Sequence, residues 1–219
     1  MRRSGDASGR THAVFFVNAS TLNLACDDPA YRDVLRSADV VYGDGTGVRW
    51  AARALHGVRL VDNVNGTDFV PRFFEAFAGR GLRYFLLGGS EAMNERAAAF
   101  TRERFAGWEP AGRHHGYLDE ASDRRLVEAL DAAAPHVLLV GMGNPAQERW
   151  IAAHRDRIRV PVCLAIGGLL LIALPDLGGT VAGIYMVLAG GALIVGALLE
   201  RMRYRSDALD RTSHPVGPG

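Results

Sequence analysis

The sequence predicts an α/β fold in which a parallel sheet carries helices on both of its faces. Short apolar segments alternate with amphipathic helical segments from residue 13 to residue 167, an order typical of consecutive βαβ units. Several apolar segments, such as 137–140, lack polar alternation, as expected of strands buried on both faces. Glycine-rich turns follow several strands, where ligands bind in open sheets of the Rossmann-like type.

The individual elements follow from apolar spacing and from residues that start or stop helices. Asp28-Pro29 is a helix start and Gly57 a helix stop. Strands are expected at 12–17, 38–42, 84–87, 137–140 and 160–166, and 108–117 is expected to be a loop or a short strand. Helices are expected at about 22–26, 29–35, 47–56, 66–77, 91–105, 120–134 and 145–157. Val48, Ala51, Ala52 and Leu55 form the predicted buried face of helix 47–56, and Phe69, Phe73, Phe74 and Phe77 that of helix 66–77.

Charge and cysteine content restrict the class of protein. The formal net charge of the 219 residues is +1, so no global electrostatic attraction to nucleic acid is expected. Cys26 and Cys163 both stand in apolar contexts and are predicted to be reduced core residues of a cytosolic protein. Residues 1–12 are polar and are expected to form a flexible tail.

A long uncharged segment near the C-terminus predicts an apolar transmembrane helix. Residues 178–199 contain no charged side chain, and a helix of this length spans a hydrocarbon layer of ~30 Å. A core or oligomer-interface helix is the alternative. Arg201, Arg203 and Arg205 follow, and three arrangements stay open: one crossing, a hairpin that turns at 175–176, or a segment lying in the interface. Residues 169–205 are therefore predicted to be membrane-associated and 206–219 a disordered tail.

Asp44 is the first candidate functional residue. The apolar segment 40–42 ends at this carboxylate, which stands between Gly43 and Gly45. Glycine permits backbone angles and close approaches that other residues do not. A strand followed by such a turn and a helix start places Asp44 where ligands bind. The alternative is a turn aspartate that caps the next helix.

Two further turns contain glycine. Gly88-Gly89-Ser90 could hold a phosphate at a helix N-terminus, although Glu91 would repel it and the full G-x-G-x-x-G pattern is lacking. A plain turn with a helix cap is the alternative.

In the second turn, Gly141 and Gly143 are predicted to clear space for a ligand. Asn144 is predicted to cap a helix that begins at Pro145. Gln147 and Glu148 would then meet a base or sugar hydroxyls.

The remaining motifs argue against metal and serine chemistry. His114 and His115 are adjacent and would point to opposite faces of a strand. No H-E-x-x-H, C-x-x-C or dense Asp/His cluster occurs in the sequence, so no metal is expected. The G-x-S-x-G elbow of serine hydrolases is also lacking.

Taken together, these motifs resemble the WecG/TagA/CpsF glycosyltransferases, glycosyltransferase family 26, over roughly residues 13–168. The order and spacing that carry the resemblance are those of Asn18, Asp28-Pro29-x-Tyr31-Arg32, Ala38-Asp39, Asp44-Gly45-x-Gly47, Gly66-Thr67-Asp68, Leu87-Gly88-Gly89, His115-Gly116-Tyr117 and Gly141-x-Gly143-x-Pro145-x-Gln147-Glu148-x-Trp150.

The resemblance implies an inverting transferase that needs no metal or other cofactor. It would move an N-acetylhexosamine-type sugar, such as N-acetylmannosamine, from a UDP-sugar to an acceptor on a polyprenyl diphosphate. The reaction would take place at the cytoplasmic face of the cell membrane, in teichoic acid, enterobacterial common antigen or exopolysaccharide biosynthesis. A homo-oligomer is compatible with the sequence.

The resemblance also implies roles for individual residues. Asp44 would be the general base that accepts the proton of the acceptor hydroxyl. The implied substrate-binding residues are Asn18, Thr21, Gly45, Gly47, Asp68, Gly88, Gly89, His115, Tyr117, Gly141, Gly143, Pro145, Gln147 and Glu148.

The sequence departs from the family in two places. Phe16 stands where many members carry a threonine, and the hydroxyl of Thr21 is a candidate replacement. Residues 169–172 are apolar where the family often has Phe-Asp and an arginine-rich tail, and Arg201, Arg203 and Arg205 have no clear counterpart there. A catalytically silent, membrane-tethered binder of nucleotide sugars is therefore the alternative. A dinucleotide oxidoreductase would need the glycine fingerprint that is missing.

Overall fold

The computed structural model describes residues 10–61 and 64–167. The predicted membrane-associated segment 169–205, the tail 206–219 and most of the tail 1–12 lie outside the described residues. Within the described ranges, no helix has the length and apolar character needed to cross a membrane.

Helices and strands alternate as the sequence predicts. The strands are β1 (His12–Val17), β2 (Val40–Gly43), β3 (Arg83–Gly88), β4 (Glu109–His114), β5 (Val137–Gly141) and β6 (Val162–Ala165). The helices are α1 (Ala19–Asp27), α2 (Pro29–Arg36), α3 (Thr46–His56), α4 (Gly66–Ala76), α5 (Glu91–Arg104), α6 (Glu120–Ala133) and α7 (Ala146–His154). The predicted loop or short strand at 108–117 is the strand β4.

All six strands pair in parallel, in the order β2-β1-β6-β5-β3-β4. The chain moves from β1 outward to β2, whereas β6 is reached from β5 on the other side. The strand order therefore reverses between β1 and β6, which makes their carboxyl ends the expected position of a ligand crevice.

Two hydrophobic cores lie on the two faces of the sheet. Successive strand residues point to opposite faces, so Phe15 packs in one core and Phe16 in the other. Helices α1, α2, α6 and α7 cover the Phe15 face, and α4 and α5 cover the Phe16 face. This confirms the predicted parallel α/β fold with helices on both faces.

The placements of Cys26 and Leu55 differ from the sequence prediction. Cys163 is buried as predicted, but Cys26 is exposed, because Thr21 and Ala25 form the buried side of α1. Leu55 was expected on the buried side of α3, yet 73% of it is exposed, and α3 contains no buried residue. Helical spacing detects an apolar stripe, but it does not show whether another element covers that stripe.

Candidate functional site

The carboxyl ends of β1, β2 and β6 bring Asn18, Asp44 and Gly167 to one edge of the sheet. The backbone N–H of Asp44 donates to the carbonyl of Val17 at 2.9 Å, which fixes the turn after β2 against the end of β1. Because this edge contains the reversal of strand order, it is the candidate active site.

The carboxylate of Asp44 does not cap the following helix. Gly45 occupies the N-cap position of α3 with a φ of 95° and has no side chain with which to cap this helix. Asp44 is partly buried, and its carboxylate makes no hydrogen bond to any residue that the structure describes. Burial and, to a smaller extent, the negative charge of Asp68 raise the pKa of the Asp44 carboxyl. The helix-cap alternative is therefore excluded, and a weakly solvated carboxylate remains at the sheet edge.

Asp68 is held near Asp44 by the start of α4. Asn65 caps this helix, accepting from the backbone N–H of Asp68 at 2.7 Å and donating from Nδ2 to Oδ2 of Asp68 at 2.9 Å. Gly66 brings the helix close to β6, because a Cβ on Gly66 would lie 3.1 Å from the carbonyl oxygen of Ile166. Two carboxylates of different exposure thus share the site.

We expect Asp68→Asn to lower the pKa of Asp44. The substitution removes the negative charge that disfavours ionisation of Asp44, whereas burial, the larger cause of the raised pKa, remains. A ¹³C NMR titration of the Asp44 carboxyl measures the change directly. Asp68→Glu, which keeps the charge, is the control, and a pKa of Asp44 that rises or stays fixed in Asp68→Asn would contradict the assignment.

Gln147 and Glu148 lie inside the protein beneath this edge, and each is only 1% exposed. Gln147 Oε1 accepts from the backbone N–H of Gly167 at 3.1 Å, and its Nε2 donates to Glu148 Oε1 at 2.7 Å. The sequence prediction that both side chains meet the ligand stays untested, but their observed contacts are within the protein. The pair ties the start of α7 to the end of β6.

Glu148 accepts hydrogen bonds from three side chains. Besides Gln147, the hydroxyl of Tyr31 donates to its Oε2 at 3.2 Å and Asn144 Nδ2 donates to its Oε1 at 2.8 Å. Burial raises the pKa of the Glu148 carboxyl, although hydrogen bonds from Gln147 and Tyr31 oppose that shift. Burial is also the main cause that raises the pKa of Tyr31. Glu148 is thus a buried acceptor that fastens α2 and α7 together below the candidate site.

The same network reaches Asn18 through Thr21. Asn144 Nδ2 also donates to Thr21 Oγ1 at 3.2 Å, and Thr21 donates through both its N–H and its hydroxyl to Asn18 Oδ1 at 3.0 Å. Thr21 is buried, so its hydroxyl is used within the protein, while Phe16 packs against Tyr42 and Phe69. With its oxygen fixed, Asn18 is partly exposed and can present Nδ2 to a ligand.

The start of α7 corrects one prediction. Asn144 does not cap this helix: Pro145 is at the N-cap position without a side-chain hydrogen bond, and the Asn144 amide instead joins Thr21 and Glu148. Helices α3 and α7 therefore both begin without a side-chain cap, whereas α1, α2, α4, α5 and α6 are capped by Asn18, Asp28, Asn65, Ser90 and Asp119. Uncapped helix N-termini offer N–H donors to anionic groups.

Glycines bring the ends of β3, β4 and β5 into contact. Gly89 N–H donates to the Gly141 carbonyl at 3.2 Å, and Gly116 N–H donates to the Gly89 carbonyl at 2.8 Å. A Cβ on Gly88 would lie 2.2 Å from the Gly141 oxygen, and one on Gly116 would lie 2.9 Å from the Gly88 Cα. Ser90 caps α5, as the alternative for this turn expects. At these positions, neighbouring backbone occupies the space beside the glycines, whereas Gly143 is open.

We expect Gly88→Ala to destabilise the fold far more than Gly143→Ala. Both residues have positive φ, 140° and 81°, a conformation that costs a non-glycine residue ~1–3 kcal/mol. Only Gly88→Ala adds a clash with backbone, which typically costs a further ~1–3 kcal/mol. Thermal unfolding of the two variants compares them directly, and equal melting temperatures would contradict the close packing.

The predicted residues after β4 lie in two different environments. The rings of His114 and His115 lie 4.4 Å apart, so they contact each other instead of pointing to opposite faces, because β4 ends at His114. His115 Nδ1 is buried and has no hydrogen-bond partner among the described residues. Tyr117 is 76% exposed. The pair at His115 and Tyr117 thus combines an unsatisfied ring nitrogen with an accessible aromatic ring.

Two concave features lie away from Asp44. One is a depression that borders β4, and the other is a groove between α6 and α7 along Asp123, Trp150 and His154. Among the described residues, no group of three His, Cys, Asp or Glu could hold a metal ion.

The model of the glycosyl transferase WecG/TagA/CpsF family matches residues 2–173. The chain belongs to this family. Among curated proteins, it is 29% identical over 166 residues to the N-acetylglucosaminyldiphosphoundecaprenol N-acetyl-beta-D-mannosaminyltransferases of Staphylococcus aureus strains MRSA252 and NCTC 8325. The match covers 74% of this chain and 63% of each of those proteins. A solved structure, unliganded arylmalonate decarboxylase, matches with 20% identity and a TM-score of 0.36, over 76% of this chain and 90% of that one.

Sequence reasoning alone does not find the structural roles of Tyr31, Asn144 and Gly116 near the candidate site. Tyr31 and Gly116 occur in the family motifs without an assigned role, and the position of Asn144 predicts a helix cap. A buried tyrosine normally needs a hydrogen-bond partner, so Tyr31 was the one of the three that carried a usable signal.

Proposed function

We propose that this chain transfers an N-acetylhexosamine-type sugar from a UDP-sugar to a sugar on a polyprenyl diphosphate, with inversion at the anomeric carbon. The observation that supports this most is the partly buried carboxylate of Asp44, which does not cap α3 and lies where the strand order reverses. The second support is that the chain belongs to a glycosyltransferase family. The names of the Staphylococcus aureus relatives support the acceptor class and an N-acetylmannosamine-type donor.

In the proposed reaction, Asp44 acts as the general base. The acceptor hydroxyl gives its proton to the Asp44 carboxylate, and its oxygen forms the new bond to the anomeric carbon. The bond between that carbon and the diphosphate oxygen breaks, and UDP leaves with the electron pair. Burial and the negative charge of Asp68 raise the pKa of the Asp44 carboxyl, which strengthens its carboxylate as a base.

The leaving diphosphate needs hydrogen-bond donors near Asp44. The starts of α3 and α7 would present the backbone N–H groups of Thr46, Gly47 and Ala146 to the developing charge. Asn18 Nδ2 and the open backbone at Gly143 add to this lining. His115 and Tyr117 would contact the nucleobase or the sugar of the UDP-sugar. No metal or other cofactor is part of the proposal.

Residues 13–168 are proposed as the transferase domain and 169–205 as a segment that associates with the membrane at its cytoplasmic face. The polymer would be a cell-envelope polysaccharide such as a teichoic acid or an exopolysaccharide. Since the acceptor is a lipid, membrane association follows from the proposed reaction itself.

Transfer of radiolabelled sugar from UDP-sugars to an undecaprenyl-diphosphate-linked acceptor tests the proposal. We expect labelled lipid with UDP-N-acetylmannosamine or a related donor, and ~10²–10⁴-fold slower labelling with the same donor and Asp44→Asn. UDP-sugar binding without turnover, unchanged in Asp44→Asn, would favour the alternative of a silent binder, which the apolar replacement of the family's usual segment at 169–172 motivates.

A further inference from the structure

Helix α3 is unusual in this fold because it contains no buried residue. Trp50 is 74% exposed, Leu55 is 73% exposed, and Val58 and Val61, in the segment after the helix, are 51% and 82% exposed. Several large apolar side chains that are exposed within one short segment of a soluble domain commonly mark a contact with a protein or a membrane.

The segment after α3 returns toward the start of the helix. Gly57, at a φ of 68°, ends α3, and the N–H groups of Gly57 and Val58 donate back to Arg53 and Ala52. A Cβ on Gly43 would lie 3.0 Å from Leu60 Cδ1, so the returning segment packs beside the end of β2. The exposed apolar residues are therefore connected by structure to the turn that carries Asp44.

The charges of this region have one sign. Arg49, Arg53 and Arg59 lie between Gly45 and Val61, a range without any Asp or Glu, whereas the whole chain has a net charge of only +1. Arg53 and Arg59 are exposed. The next acidic residue along the chain is Asp62. We call the exposed residues Trp50, Arg53, Leu55, Val58, Arg59 and Val61 the α3 patch.

We propose that the α3 patch docks onto an anionic lipid bilayer and so places Asp44 next to the membrane surface. Amphipathic helices with arginines and an exposed tryptophan and leucine lie in the membrane interface, and anionic lipids attract their basic residues. At 11 residues, α3 is ~16 Å long, far too short to span a bilayer but long enough to lie on it.

The charge pattern favours lipid over a second copy of the chain as the occupant. A symmetric contact brings the same patch of two copies together. The arginines of both copies would then face each other with no acidic residue between Gly45 and Val61 to pair with, and like charges at an interface are unfavourable.

The proposal deepens the proposed function, because it explains how a lipid-linked acceptor reaches Asp44, but its test does not depend on catalysis. An environment-sensitive fluorophore is attached to Ala54→Cys in the full chain, with exposed Cys26 replaced by serine and buried Cys163 left in place. The labelled chain is reconstituted into phosphatidylcholine vesicles with or without phosphatidylglycerol. A label at Glu128→Cys, an exposed position on α6 between β4 and β5, is the positional control.

We expect a blue shift of the Ala54 label only with anionic vesicles, no shift of the Glu128 label, and the same result in Asp44→Asn. Arg53→Glu with Arg59→Glu should reduce the docked population by about 25-fold or more, since each basic residue near an anionic surface changes partitioning about fivefold. Arg124→Glu with Arg125→Glu, on α6, is the charge-matched control and should have no effect on the label. Trp50→Ser weakens the docking without changing charge.

Several results would overturn the proposal. The emission of the Ala54 label could stay unchanged with anionic vesicles, shift equally with neutral vesicles, or shift as much when Arg53 and Arg59 are replaced by glutamate. A blue shift that grows with protein concentration without lipid would assign the patch to self-association. A label that is already in an apolar environment before vesicles are added would assign it to another part of the chain. If the unsubstituted chain docks onto anionic vesicles but transfers no sugar, the proposed function is contradicted and the docking proposal is not.

Discussion

Asp44→Asn is expected to abolish most sugar transfer while leaving the fold and the binding of the UDP-sugar intact. The amide has nearly the same shape as the carboxylate but cannot accept the acceptor's proton, and general base catalysis is typically worth ~10²–10⁴-fold. Because the carboxylate of Asp44 makes no hydrogen bond to a described residue and does not cap α3, the substitution removes no side-chain hydrogen bond among the described residues. The measurement is kcat for transfer to the lipid-linked acceptor.

Asp39 provides the contrasting control. Its carboxylate accepts from Arg155 at 2.7 Å and from the N–H of Ala13 at 2.8 Å, so Asp39→Asn should lower the melting temperature. Asp44→Asn should leave the melting temperature close to that of the unsubstituted chain. Full activity in Asp44→Asn, or unfolding in place of inactivity, would show that Asp44 is not the base.

Glu148→Ala is expected to lower the free energy of unfolding by about 3–5 kcal/mol. The substitution removes the acceptor of three donors, the hydroxyl of Tyr31 and the amides of Gln147 and Asn144. Each buried donor left without a partner costs ~1–3 kcal/mol, and the vacated volume adds to that. Relief of the desolvation that raises the pKa of Glu148 offsets part of the loss. Chemical denaturation followed by circular dichroism measures the change.

Two variants bracket this prediction. Glu95→Ala removes an exposed carboxylate of α5 and should change the free energy of unfolding by less than ~0.5 kcal/mol. Glu148→Gln keeps one acceptor oxygen and should lie between the two alanine variants. A Glu148→Ala variant as stable as Glu95→Ala would mean that the Tyr31–Glu148 network contributes little to the fold.

The parallel sheet was predictable because each of its parts is a local signal. Apolar segments such as 137–140, capping residues such as Asp28, and the stop at Gly57 are all visible within a few neighbouring residues. The position of Asp44 followed for the same reason, since a strand end and its glycines are contiguous in sequence. Asp44 does not cap α3 because Gly45 takes the N-cap position. The sequence did not show which of the two residues would take that position.

Contacts between distant residues were not predictable. Tyr31 and Glu148 are 117 residues apart, and only the packing of α2 against α7 shows that one donates to the other. Asn144 has the sequence position of a helix cap, but Pro145 takes the N-cap position and Asn144 Nδ2 donates to Thr21 and Glu148 instead. The prediction for helix α3 was also wrong. Its apolar spacing predicted a buried face, yet no element among the described residues covers Leu55.

A crystal structure of the chain with UDP and a soluble acceptor analogue tests the central claim most directly. We predict that the attacking hydroxyl lies within about 2.6–3.2 Å of an Asp44 carboxylate oxygen, the reach of a general base, with the diphosphate between the starts of α3 and α7. An acceptor hydroxyl bound elsewhere, or an Asp44 carboxylate turned into bulk solvent in that complex, would contradict the account.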